Sequence, residues 1–143
     1  MQKFILSLFV ACIVFCACSN NSGKVPRNRM EQQDDTTNYT TIQWLDSMKD
    51  FGTAKYGDKV NINYRFKNVG SKPLYLLDVR PTCGCTIADY TKNAVMPGNE
   101  GFVKAIYDSY HNEPGSVRKS IIVTSNTIND NHFVLAFTGN VVK

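Results

Sequence analysis

The run from Val60 to Lys67 constrains this chain most. Val60, Ile62, Tyr64 and Phe66 alternate with Asn61, Asn63, Arg65 and Lys67. A two-residue period gives a strand one apolar face and one wet face, and no 3.6-residue helix can satisfy it. Such a strand must cover its apolar face with a second layer. The rest of the C-terminal part supplies one. Leu74 to Val79, Phe102 to Tyr107, Ser120 to Thr124 and Phe133 to Val142 are strand-like. They are separated by the turn clusters Asn68–Pro73, Pro97–Asn99, Glu113–Gly115 and the polar loop Asn126–Asn131. Ile42 to Met48 reads as one first strand, with Trp44 as its apolar anchor. Closely spaced strands, turn residues between them and no helical period define an all-β fold. The expectation is an immunoglobulin-like β-sandwich of about seven strands, with a small Greek-key barrel as the alternative.

The N-terminus follows a different logic. Lys3 precedes an apolar run from Phe4 to Phe15, and Cys16-Ala17-Cys18 leads into polar residues at Ser19. Charge, apolar core and small residues in that order make a signal peptide, expected over residues 1–17. The run is shorter than the roughly 20 apolar residues a spanning helix needs. Phe15-Cys16-Ala17-Cys18 resembles a bacterial lipobox, with Phe15 and Cys16 as departures from its usual residues. The resemblance implies that Cys18 becomes the lipidated first residue of the mature protein. One acyl chain binds membranes marginally and two or more anchor stably. Residues 18–41 then form a linker, poor in apolar side chains and expected to be disordered. As a flexible coil it spans on the order of 25 Å. The domain organisation is therefore 1–17 signal peptide, 18–41 lipidated cysteine and linker, and 42–143 one globular domain. The expected location is the bacterial cell envelope, lipid-anchored, facing the periplasm or the surface.

Charge and catalytic motifs narrow the function classes. Sixteen Lys and Arg oppose twelve Asp and Glu, and losing Lys3 with the signal leaves fifteen against twelve. A surplus so mild and dispersed gives no nucleic-acid footprint. The only histidines, His111 and His132, sit in polar turn-like contexts and read as solvated loop residues. Asp50-Phe51-Gly52 lacks the other kinase motifs and reads as a strand end. No Gly-rich phosphate loop, H-E-x-x-H or G-x-S-x-G occurs. The expectation is a protein without catalytic activity or cofactor, acting as a binding or scaffold module for an envelope protein. Tyr90, Tyr107 and Tyr110, near turns, are candidates for its contact surface. Oligomeric state is left open.

Several short motifs carry a family resemblance. Asp50-Phe51-Gly52, Phe66-Lys67-Asn68-Val69-Gly70, Lys72-Pro73-Leu74, Pro81-Thr82-Cys83-Gly84-Cys85-Thr86, Pro97-Gly98 and Phe137-Thr138-Gly139-Asn140-Val141 occur in this order. Together, across residues 42–143, they resemble the bacterial domain-of-unknown-function 1573 family. The resemblance implies an immunoglobulin-like module often carried on exported lipoproteins, related in architecture to abnormal-spindle and hydin domains. It implies no reaction.

Cys83 and Cys85 are the candidate disulfide or thiol pair. In an extended strand their Cα atoms would lie about 6.5–7 Å apart, the upper limit for a disulfide. Gly84 could bend the chain enough to close one. Tyr75, Leu77 and Val79 share parity with Cys83, Cys85 and Ile87, which predicts that the pair continues a core face. Packing, with or without a disulfide, is the first reading. The alternative is thiol chemistry, either redox exchange or binding of a soft, copper-like metal. Zinc would need further ligands that the chain does not place nearby.

Overall fold

The computed structural model describes residues 36–143. The expected signal peptide, Cys18 and most of the expected linker lie outside the described residues. Eight strands form, β1 Ile42–Trp44, β2 Met48–Lys55, β3 Lys59–Asn68, β4 Leu76–Pro81, β5 Thr86–Tyr90, β6 Glu100–Asp108, β7 Gly115–Ser125 and β8 His132–Val142. They make two four-stranded sheets, ordered β1-β3-β6-β5 and β2-β8-β7-β4. All pairings are antiparallel except β2 with β8. Each sheet keeps two open edges, so this is a β-sandwich and not a closed barrel.

The alternating run reads as expected. Ile62, Tyr64 and Phe66 of β3 point inward and meet Val103, Ala105 and Tyr107 of β6 on the same inner face. The second sheet answers with Ile121, Val123, Leu135, Phe137 and Val141. Fully burying a side chain such as Phe66 or Leu135 contributes roughly 1.5–3 kcal/mol. Tyr64 is completely buried, and its hydroxyl donates to the Ala136 carbonyl across the sandwich at 2.7 Å. Trp44 stacks on Phe133 at 4.9 Å and tilts onto Phe66 at 5.4 Å, as expected of an anchor.

The expected first strand is two strands. Residues 45–47 carry the chain from one sheet to the other, and Asp46 holds the step. Its carboxylate accepts from Lys49 Nζ at 2.5 Å and from the Arg65 backbone N at 3.2 Å and Nε at 3.3 Å. The Lys49 hydrogen bond, with help from Arg65, keeps its carboxyl below the usual carboxylate range despite some burial. Asp50-Phe51-Gly52 is no strand end either. It lies inside β2, where the register against β8 shifts between Asp50 and Thr53. The bulge lays the Phe51 ring over Gly139 so closely that any Cβ there would overlap it. One contact thus explains two motifs.

The domain also begins before Ile42. Thr40, placed by sequence in the linker, is 3% exposed. Its N–H donates to Asn126 O at 3.1 Å, and its carbonyl accepts from Ile128 N at 3.0 Å. Three asparagines bind this end together. Asn68 is wholly buried, and its Nδ2 donates to the Lys72 and Val95 carbonyls at 2.7 and 2.8 Å. Its Oδ1 accepts from Thr40 Oγ1 at 2.9 Å and Gly70 N at 3.1 Å. Asn126 Nδ2 donates to the Asn38 and Pro73 carbonyls, both at 3.0 Å, while its Oδ1 accepts from Tyr75 N at 2.7 Å. Asn129 closes a ring on Ile42, accepting from its N at 3.2 Å and donating to its carbonyl at 2.8 Å. Gly70 is obligatory here because a Cβ would strike the Thr40 hydroxyl and the Thr41 backbone.

Candidate functional site

Cys83, Gly84 and Cys85 form a turn between β4 in one sheet and β5 in the other. The two sulfurs are joined in a disulfide. The Cα atoms are 5.3 Å apart, well inside disulfide reach, because this segment bends and is not the extended strand the parity reading assumed. That parity also fails on both sides. Leu74 and Leu76 face the core while Tyr75 and Leu77 are only partly covered, and the register slips between Leu76 and Asp78. Beyond the turn Thr86 is buried and Ile87 is 70% exposed. Within the pair, Cys85 is buried and Cys83 partly so, both against the core.

The turn is held on both flanks without the disulfide. Thr82 donates from both its N and its Oγ1 to Ser120 O at 3.0 Å, and Asp108 N donates to Cys85 O at 2.9 Å. Thr86 Oγ1 lies 3.6 Å from Cys83 Sγ and 3.9 Å from Cys85 Sγ. Gly84 is exposed, with open space where a Cβ would point. Beside the turn is a small recess of about 80 Å³ whose lining includes Lys59, Gly84, Cys85, Ile87, Asp108 and His111. His111, expected as a solvated loop residue, is exposed and shares this recess because a short 3-10 turn, Ser109–His111, follows β6. Asp108 caps that turn by accepting from Tyr110 N at 3.0 Å.

The same end of the sandwich displays apolar side chains. Tyr110 is 64% exposed and tilts against Tyr56, itself well exposed, at 5.5 Å. Of the three tyrosines proposed for a contact surface, only Tyr110 stands out at this tip. Tyr107 is wholly buried between Phe51 and Phe137, and burial, then the nearby Asp108 charge, pushes its phenol pKa up. Tyr90 is partly covered, with Lys92 Nζ over its ring at 3.4 Å. The tip lies opposite the asparagine-tied end. β3 runs from Lys59, paired with Asp108 at the tip, to Asn68 at the other end, and its ten residues span about 30 Å.

His132 opens β8, and its Nδ1 lies 3.2 Å from Thr124 Oγ1. This is a cross-strand link in the β7–β8 pair. Among the described residues no three His, Cys, Asp or Glu side chains converge as a metal cluster. With its sulfurs joined, the Cys83–Cys85 pair offers no thiolate to a metal. Among the described residues no helix is long and apolar enough to cross a membrane.

Two four-stranded sheets, with the chain crossing between them at residues 45–47 and again at the Cys-Gly-Cys turn, define an immunoglobulin-like β-sandwich module. The chain belongs to the family described as protein of unknown function (DUF1573), which it matches over residues 42–141. Its fold is similar to that of a protein of unknown function from Porphyromonas gingivalis W83, with a TM-score of 0.63 at 15% identity. That match covers 73% of this chain and 48% of the other, so this chain spans about half the length of that protein. The ASH/PapD-like domain 7 of human CEP192 is similar at a TM-score of 0.56 and 11% identity, over 73% of this chain and 87% of that one. Part of the secreted serine protease VesC from Vibrio cholerae is similar at 0.52 and 14% identity, over 80% of this chain and 25% of that one. At these identities the likeness is one of fold alone. No curated protein matches the chain in sequence.

Proposed function

We propose that this is a lipid-anchored envelope lipoprotein whose β-sandwich serves as a non-catalytic binding or scaffold module. The anchor rests on the lipobox-like Phe15–Cys18 segment. One observation carries the binding role. The N-terminal segment enters at the Asn68–Asn126 end, while Ile87, Tyr110 and Tyr56 stand exposed about a sandwich length away. A module tethered in this way presents its tip outward. Aromatic and apolar side chains are the residue types enriched at protein–protein contacts, and the partner is taken to be another envelope protein. The non-catalytic reading rests on the sequence, in which no Gly-rich phosphate loop, H-E-x-x-H or G-x-S-x-G occurs.

The full-length chain carrying Ile87→Asp or Tyr110→Asp tests this. Both sites are exposed, so melting should stay within about 0.5 kcal/mol of wild type. A partner captured from envelope membranes by wild type should be lost from both variants. Equal recovery by all three proteins would overturn the tip as the binding surface. Of the two thiol chemistries open to Cys83 and Cys85, the joined sulfurs favour exchange, because metal ligation would require their prior reduction.

A further inference from the structure

We propose that the Cys83–Cys85 disulfide is an exchangeable bond that captures a cysteine-bearing protein as a reversible mixed disulfide at the tip. The proposal rests on the tip being the outward-facing end, but not on any particular partner. The first ground is how little the bond is needed. It closes a loop of only three residues, and in the chain-entropy relation the shortest loops gain least from a cross-link. Thr82 and Cys85 are independently pinned to β7 and β6 by backbone hydrogen bonds. The disulfide therefore repeats a constraint that the sheets already impose.

Asymmetry and surroundings are the second ground. Cys83 is the more exposed sulfur-bearing residue, whereas Cys85 is 7% exposed and borders the recess with Lys59 and His111. A partner thiolate attacks Cys83 Sγ, and a new sulfur–sulfur bond forms there. The Cys83–Cys85 bond breaks, and its electron pair stays on Cys85 Sγ as a thiolate. Lys59 brings positive charge to that side, which favours a thiolate. Asp108 also borders the recess and opposes this, although its carboxylate is engaged in capping Tyr110 N. The Thr86 hydroxyl, 3.9 Å from Cys85 Sγ, can turn to donate to the new thiolate. Reversal by Cys85 releases the partner unchanged. If the partner holds a second thiolate, that group attacks the partner's own mixed-disulfide sulfur. The partner then leaves oxidised by two electrons, and Cys83 and Cys85 remain as thiols. Ile87 and Tyr110, exposed beside the turn, give such a partner apolar footing.

The test uses glutathione as the probe on the purified full chain, with acid trapping and peptide mass mapping so that Cys12, Cys16 and Cys18 are resolved from the pair. Native protein should acquire a glutathione adduct on Cys83, and its disulfide should open well below the denaturation midpoint. Peptide mapping should place the trapped adduct on Cys83 in at least tenfold excess over Cys85. Lys59→Gln, an exposed change, should slow opening of the native disulfide at least threefold at neutral pH without altering melting. A disulfide that opens only in denaturant, equal adducts on the two cysteines, or an unchanged rate in Lys59→Gln would overturn the proposal. Because glutathione needs no docking surface, such a failure would leave the capture of a protein by Ile87 and Tyr110 standing.

Discussion

Replacing Asn68 with Ala should be among the most damaging single changes in the domain, although Asn68 touches no part of the tip. Its side chain is wholly buried and makes four hydrogen bonds, two from Nδ2 and two to Oδ1. Two of the four partners keep another bond after truncation. Val95 O still accepts from Leu74 N at 2.9 Å, and Gly70 N still reaches Thr41 O at 3.2 Å. The buried Thr40 hydroxyl and the Lys72 carbonyl lose theirs. Stranding buried polar groups costs about 1–3 kcal/mol each. Counting Thr40 in full and Lys72 in part gives a loss of about 3 kcal/mol. For a domain of this size that is a fall of about 12–20 °C in thermal midpoint. Thermal unfolding followed by circular dichroism measures it directly. Asn68→Asp should be no better, because two carbonyls would then face a carboxylate oxygen. A fall of less than about 4 °C for Asn68→Ala would refute the claim that this asparagine closes the N-terminal end.

Three further outcomes follow from the same account. Cys18→Ser should move the protein from the membrane to the soluble fraction, and acyl labelling that persists in this variant would rule out Cys18 as the lipid site. A chain starting at Thr36 should melt within about 0.5 kcal/mol of the full chain, whereas one starting at Ile42 loses Thr40 and Thr41 and should be less stable by about 2–4 kcal/mol; equal midpoints would show that Thr40 does not pack. Tyr64 and Tyr107 both have raised phenol pKa values, Tyr64 through burial and Tyr107 through burial and then Asp108. Their contribution to stability is complete below the ordinary tyrosine value of about 10 and is lost as pH rises above it. Urea midpoints should therefore fall steeply above that pH and less steeply in Tyr64→Phe.

The parts of the fold legible in sequence are those fixed by local patterns. Val60 to Lys67 announces β3 because one face is core and the other solvent, and the loop Asn126–Asn131 falls where its polar residues lie. The family motifs are legible as a set, although what each does is not. Asn68 and Gly70 look like turn residues, yet Asn68 bonds to Thr40, Lys72 and Val95, and Gly70 N donates to Thr41 O. The split between β1 and β2 depends on Asp46 finding Arg65, a contact across two strands that no local window contains. Parity from Tyr75 to Ile87 misleads because a register shift after Leu76 and the bend at Cys83–Cys85 each reset it. β5 was hidden by the same error. At the tip, the cysteine pair is visible in sequence, but His111 and Lys59 reach it through other strands. Tyr107 shows the reverse failure, since a tyrosine at a strand end looks displayed and is in fact core.

On the proposed function, the sandwich works through the end away from its N-terminal entry. Site-specific photocrosslinking in intact cells tests this most directly, with the full-length protein carrying a photoreactive residue at one position at a time. Positions 87 and 110 at the tip compare with positions 69 and 128 at the opposite end, all four occupied by exposed side chains. The account predicts a discrete crosslinked protein band from 87 and 110 and none of that mass from 69 and 128. Crosslinks to one protein from 69 and 128, with 87 and 110 silent, would contradict it.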